Sequence, residues 1–288
     1  SVSYWMGKLV HGGSNVMLAG PAGTGKTALV NGMLASLNPE QHVHTSAAMN
    51  FFTTASVLLT SLEAPLQKRT GSTFGPVGGA KMVYFIDDLN LPEVDKYGTQ
   101  SAIALLRQHI DYGHWYDQQK LSIKNVDDCH YVAALNPTAG SFQVNPRLQR
   151  HFSTFAVGMP SATSLLTIYE TFLNGHLASG GFTPGVVAVS SNLIKGALAV
   201  HKEVSESFRK TAANFHYEFN IRHLANIFQG LLVATSVVFT EPEKFVCLWL
   251  HESERVYGDR LVDASDLKRF KDIIQSHAKK AFMQFNVS

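Results

Sequence analysis

Eight consecutive residues carry the first chemical signal. Gly20, Pro21, Ala22, Gly23, Thr24, Gly25, Lys26 and Thr27 satisfy the pattern G-x-x-x-x-G-K-[ST]. Glycines let the backbone curl until successive N–H groups converge on phosphate oxygens, and the start of a following helix adds its positive dipole end. In such a cradle Lys26 neutralises the β- and γ-phosphates of a nucleoside triphosphate, and the Thr27 hydroxyl ligates Mg2+. The competing reading is a glycine-rich turn that caps a helix. Four apolar residues before the loop and a helical pattern after it favour the phosphate site. A second signal lies at 82–88, Met-Val-Tyr-Phe-Ile-Asp-Asp, an apolar run that ends in two carboxylates. Asp87 is placed to hold the Mg2+ through water, and Asp88 stands where a hydrolysing enzyme carries the base that orients attacking water. Alone, an Asp pair after a strand reads as a turn or a helix cap. Beside the loop it reads as the other half of one site.

These groups need a scaffold that brings two strand ends together. Apolar, β-branched runs at 16–19, 42–46, 82–87, 131–136 and 154–157 read as strands, each separated from the next by helical patterns or long connections. Helices are expected over 25–37 and 97–110. Strand alternating with helix predicts an α/β fold, a parallel five-stranded sheet covered on both faces. A glycine-rich stretch at 71–79 is expected to be irregular, and a hairpin is expected over 115–126. Beyond Pro160 the pattern holds helices alone, at 161–177, 186–208, 220–234, 242–257 and 263–282. The division predicted is a nucleotide-binding part, 1–160, and a smaller C-terminal all-α part, 161–288.

Composition narrows the function classes. Lys and Arg number 24 against 22 Asp and Glu, a net charge of +2. That is too little for nucleic-acid or anionic-membrane binding by bulk electrostatics. Charged residues are 16% of the chain, against the roughly 25% usual for soluble domains, so a neighbouring surface is expected to cover part of it. Two cysteines, Cys129 and Cys247, cannot build a disulfide framework. His251 and Glu252 lack the second histidine of a zinc helix. The expectation is a soluble, intracellular segment that could be cut from something longer.

The loop, the acidic strand end, a strand ending in Asn136 and a helical C-terminal part resemble the AAA+ ATPase family of P-loop NTPases. Longer strings are more specific. Phe-Ile-Asp-Asp-Leu-Asn-Leu-Pro-Glu-Val-Asp-Lys-Tyr-Gly-Thr-Gln over 85–100 resembles the dynein heavy chain family, in particular the third of its six AAA+ modules. Ala-Leu-Asn-Pro-Thr-Ala-Gly-Ser at 134–141, Asn-Pro-Arg-Leu-Gln-Arg-His-Phe at 145–152 and Arg-Val-Tyr-Gly-Asp at 255–259 support it, in an axonemal form. The likeness covers nearly the whole chain.

What the resemblance implies goes beyond the motifs. Asn136 matches sensor 1, which touches attacking water or the γ-phosphate. Arg150, with Arg147 as second candidate, matches the arginine finger that serves the neighbouring module's nucleotide. Arg222 matches sensor 2, reaching from the helical part to the γ-phosphate. Each has a plainer competitor: an Asn-Pro turn, a surface arginine, a helix-start residue. ATP or ADP with Mg2+ is the implied cofactor. The implied partners are neighbouring AAA+ modules of one heavy chain, with microtubules reached only through other parts of the motor, in a ciliary or flagellar axoneme.

One position departs from the family pattern. Most hydrolysing members carry Glu where Asp88 stands. One methylene sets the carboxylate back by about 1.5 Å, and a misplacement of about 1 Å can cost roughly a hundredfold in rate. The expectation is a regulatory module that binds ATP and hydrolyses it slowly. The alternatives are a structural module holding nucleotide without turnover and a free-standing AAA+ remodelling enzyme.

Overall fold

A computed structural model of the chain describes residues 1–137 and 143–282, and divides into two compact units, Ser1–Met159 and Pro160–Ser288. The first unit runs α1 (Val2–His11), β1 (Asn15–Ala19), α2 (Lys26–Ala35), β2 (His42–Ala48), α3 (Ala55–Glu63), β3 (Gln67–Lys68), β4 (Thr73–Gly75), β5 (Lys81–Asp87), α4 (Ser101–Tyr112), β6 (His114–Tyr116), β7 (Ile123–Val126), β8 (Cys129–Leu135), α5 (Pro146–Gln149) and β9 (Phe152–Ala156). Five strands form one parallel sheet in the order β2-β5-β8-β1-β9.

Alternation along β5 shows how the sheet is covered. Met82, Tyr84 and Ile86 pack into one core with Leu58, Leu59 and Leu62 of α3 and Ile103 and Leu106 of α4. Val83 and Phe85 face the other way, into a core with Met6 and Val10 of α1 and Val30, Met33 and Leu34 of α2. A strand buried on both faces must be apolar throughout, which is why residues 82–86 read as one unbroken run.

The sequence pattern missed α1 and α3, and it placed the start of α4 too early. Asp95 is the reason for the last. Its Oδ1 accepts from the backbone N–H of Tyr97 and of Thr99, and Gly98 takes φ 76°, so this stretch closes a turn and helix begins only at Ser101. The stretch 71–79, expected to be irregular, instead holds β4. It pairs with β3 and β7, and with the β6–β7 hairpin makes a second sheet, β3-β4-β7-β6.

The second unit contains α6 (Ala162–Ser179), α7 (Pro184–Ser207), α8 (Ile221–Leu231), α9 (Pro242–Tyr257) and α10 (Ala264–Ala281), with no strand among the described residues. Its core is rich in rings: Tyr169 stacks on Phe228 at 4.1 Å, and Trp249 and Tyr257 are fully enclosed.

Candidate functional site

The loop at 20–27 leaves the sheet at the end of β1, where the chain is hemmed in on both sides. Gly20 N–H donates to Leu135 O at 3.2 Å, and Val157 N–H donates to Ala19 O at 2.8 Å. A Cβ on Gly20 would collide with the Val157 carbonyl oxygen. Gly23 and Gly25 take φ of 79° and 84°, backbone that L side chains adopt only at a cost. A Cβ placed on Gly25 would meet nothing within 4 Å, so it is the backbone conformation and not crowding that calls for glycine there. Gly25 is the N-cap of α2, whose first-turn N–H groups therefore face the curl. Thr24 Oγ1 closes the turn on Pro21 O at 3.0 Å.

Lys26 is buried, a rare condition for lysine unless it is paired. Its Nζ donates to Gly20 O and Pro21 O, both at 2.8 Å. Thr27 Oγ1 donates to Asp87 Oδ2 at 3.0 Å, across sixty residues of sequence. The other oxygen of that carboxylate, Oδ1, accepts from Asp88 N–H at 3.1 Å. Asp87 is thus fixed in orientation, and it meets the loop as the motif requires. A hydroxyl beside a carboxylate is the hard oxygen pair that suits Mg2+, and a glycine curl at a helix start suits phosphates. The residues fit both groups.

Asp88 is exposed and has φ 54°, in the left-handed region where Asp and Asn are the best-tolerated residues after glycine. Asn136 follows β8, the strand lying between β5 and β1, so it stands beside both halves of the site. Its carbonyl oxygen accepts from Asn90 Nδ2 at 3.0 Å. Residues 138–141, part of one resemblance string, lie outside the described residues.

The structure does not bring Arg147 or Arg150 to this loop. Strand β9 is parallel to β1 with Asn15 opposite Phe152 and Ala19 opposite Ala156. Arg150 precedes β9 and Gly20 follows β1, so the length of a strand, about 16 Å at 3.3 Å per residue, separates them. Arg150 is exposed, with Nη2 at 3.2 Å from Asp111 Oδ1. Arg147 is exposed on α5. Arg222 lies in the second unit, exposed in the first turn of α8, where its N–H donates to Asn220 Oδ1 at 3.0 Å.

Three residues of the site went unread in the sequence. Val157 enforces glycine at position 20. Asn90, buried, bonds Asn136, and Gln100, also buried, donates through Nε2 to Pro92 O at 2.7 Å. The available signal was two amides within a string of apolar and turn residues.

Comparison with known proteins follows the same division. A family described as the P-loop containing dynein motor region matches residues 1–160, and one described as the AAA+ lid domain matches 193–287. The chain is similar to dynein axonemal heavy chain 17 of Homo sapiens, 47% identical over 281 residues, which is 98% of this chain. It is 48% identical over 283 residues to the dynein alpha chain, flagellar outer arm, of Chlamydomonas reinhardtii, and 45% over 281 residues to a ciliary dynein beta chain of Tripneustes gratilla. The chain spans 6% of the length of each of these relatives.

Proposed function

We propose, from the premise that this chain belongs to the P-loop containing dynein motor family, that it is an ATP-binding regulatory AAA+ module of an axonemal dynein ring. The resemblance of Tyr-Gly-Thr-Gln at 97–100 supports the third module position. Residues 1–160 are the nucleotide-binding part and 161–288 the helical lid. The observation that carries this reading is the Thr27–Asp87 hydrogen bond, which joins the phosphate loop to the acidic strand end.

In this role Lys26 leaves the Gly20 and Pro21 carbonyls to pair with β- and γ-phosphate oxygens. The N–H groups of residues 23–27 hold the phosphates, while Thr27 and Asp87 hold Mg2+. Bound there, Mg2+ neutralises charge that develops on the phosphates. Asp88 orients the attacking water, Asn136 holds it or the γ-phosphate, and Arg222 reaches the γ-phosphate from the lid. Arg150 serves the neighbouring module's nucleotide. Microtubules are reached through other parts of the heavy chain, within a cilium or flagellum.

Titration of the chain and of Lys26→Ala with Mg-ATP tests the assignment. A loss of at least about tenfold in affinity is expected, since a charge-assisted contact of 1.5–3 kcal/mol is removed. Equal affinity in the two proteins would remove the site. A second reading, a module that holds nucleotide without turning it over, is favoured by the short acid at Asp88. Nucleotide that never exchanges during ring turnover would select it. Hexamers formed by this segment alone would instead select a free-standing remodelling enzyme.

A further inference from the structure

Three successive carbonyl oxygens at the end of β8 are shared between the two halves of the site. Ala134 O accepts from Leu89 N–H at 3.0 Å, one residue beyond the acidic pair. Leu135 O accepts from Gly20 N–H, the first residue of the phosphate loop. Asn136 O then accepts from the Asn90 side chain at 3.0 Å. The first two bonds are ordinary continuations of a parallel sheet, since successive carbonyls of a strand point to alternate neighbours. The third is not. Beyond the strand the backbone pairing stops, and a side-chain amide takes the place of a backbone N–H.

Asn90 is well suited to that job. It is 3% exposed, so water is a poor competitor for its amide, and a buried amide is costly to misplace. The loop that carries it is itself held. Gln100 Nε2 donates to Pro92 O at 2.7 Å and reaches Asn90 O at 3.5 Å, with Gln100 at 6% exposure. Asn90 is two residues after Asp88, so a single loop both presents the acid and fixes the backbone of Asn136.

We propose that Asn90 is a positioning residue for the γ-phosphate-facing side chain of Asn136, its amide locking the end of β8 to the acidic loop, with Gln100 holding Asn90 in place. This rests on the nucleotide reading given above. It accounts for how an Asn-Pro pair, which in isolation favours a turn, keeps a fixed register next to the phosphate loop. A hydrogen bond to a charged phosphate weakens steeply once its angle or distance drifts.

The test is discrimination between a triphosphate and a diphosphate, because a group facing the γ-phosphate contributes to the first affinity and not to the second. Affinities for ADP and for a non-hydrolysable β,γ-imido analogue of ATP, both with Mg2+, are measured by titration of this chain. The Asn90→Leu variant, close in volume and without a donor, is expected to lose about 3- to 10-fold in preference for the triphosphate analogue. Asn136→Ala should lose at least as much, and the double variant no more than Asn136→Ala alone, since residues acting as a unit are not additive. Gln100→Ala should shift the preference in the same direction by less, and it remains a usable probe if Asn90→Leu does not fold. An unchanged preference in Asn90→Leu, or in Gln100→Ala where that variant must serve, overturns the proposal, as does full additivity with Asn136→Ala. Failure of the nucleotide reading looks different: neither wild type nor any variant would bind, or Lys26→Ala would bind as wild type does.

Discussion

Gly20 makes the strongest steric demand in the phosphate loop. Its Cα faces the Val157 carbonyl as β9 leaves the sheet, and a methyl group there meets backbone, which cannot swing aside as a side chain can. Gly20→Ala is therefore expected to cost at least about 2 kcal/mol of stability, in the range of a strained buried substitution, seen as a lower denaturation midpoint with an unchanged slope. A midpoint equal to wild type would mean that the β1 and β9 exits are not held together. Asp88 makes a gentler demand. Its φ of 54° suits Asp, so Asp88→Glu is expected to cost about 1 kcal/mol in stability. The check is denaturant unfolding of both proteins, and a stabilised Glu variant would contradict the left-handed turn. The phosphate-loop residues were legible because Gly, Lys and Thr at that spacing have few other uses. Asn90 and Gln100 were not, because a buried amide differs from a surface one only in its surroundings, and those come from distant parts of the chain.

The five strands of the main sheet could be read from apolar runs because burial on two faces leaves little room for polar residues. Helices α1 and α3 escaped for the opposite reason: they cover the sheet with one face only, and each leaves apolar residues in solvent. Tyr4 and Trp5 on α1 and Val57 on α3 are more than half exposed, which blurs the helical period. The β6–β7 hairpin of the second sheet was expected, but β3 and β4 were hidden because they are two and three residues long; beside the buried Trp115 and Val126, a polar network helps to hold this sheet. Lys124 of β7 bonds Glu63 at 3.0 Å and Asp117 at 2.8 Å, and its ammonium also lies over the Phe74 ring at 5.5 Å. Trp115 Nε1 donates to the same Glu63 oxygen at 2.8 Å. One carboxylate at the end of α3 therefore fastens the hairpin. Lys124→Met keeps the stem and removes the charge, and is expected to loosen β6 and β7 by about 1–2 kcal/mol. Amide exchange should quicken across 114–126 while the β5 and β8 amides stay protected. Uniform exchange across the unit would show that the hairpin and the main sheet open together.

Acid should weaken both units for the same reason. His201 lies against the Tyr257 hydroxyl at 2.8 Å, and desolvation, with His223 adding to it, pushes its pKa down to about 4. His42, His109 and His130 of the first unit are also lowered, in each case chiefly by burial. A histidine lowered in the fold is neutral there and takes up a proton more readily when unfolded. Its contribution is complete above the unfolded value of about 6.5 and is lost as pH falls from there toward 4, on the order of 3 kcal/mol for His201. The melting temperature should accordingly fall between pH 6.5 and 4.5, and His201→Gln should flatten that fall. A melting temperature level over that window would contradict the burial of these rings.

Any turnover has to be judged beyond this one module. The register of β9 against β1 places Arg150 a strand's length from the phosphate loop, and its side chain is 64% exposed. A guanidinium so placed cannot stabilise charge at its own loop. A low charged fraction, 16%, is in keeping with a chain that has neighbours. Two outcomes follow if the finger is supplied between modules. The isolated chain should bind Mg-ATP yet turn it over about 10³- to 10⁵-fold more slowly than the same site inside a ring. In the ring, Arg150→Ala should slow turnover at the adjoining module's site by a comparable factor, and Arg150→Lys should recover little of it, because a point charge cannot reproduce the fork of donors. Site-resolved nucleotide release, with the Lys of one phosphate loop replaced at a time, separates the two sites. Slowing confined to this module's own site would place the finger in cis, against the strand register that puts Arg150 out of reach.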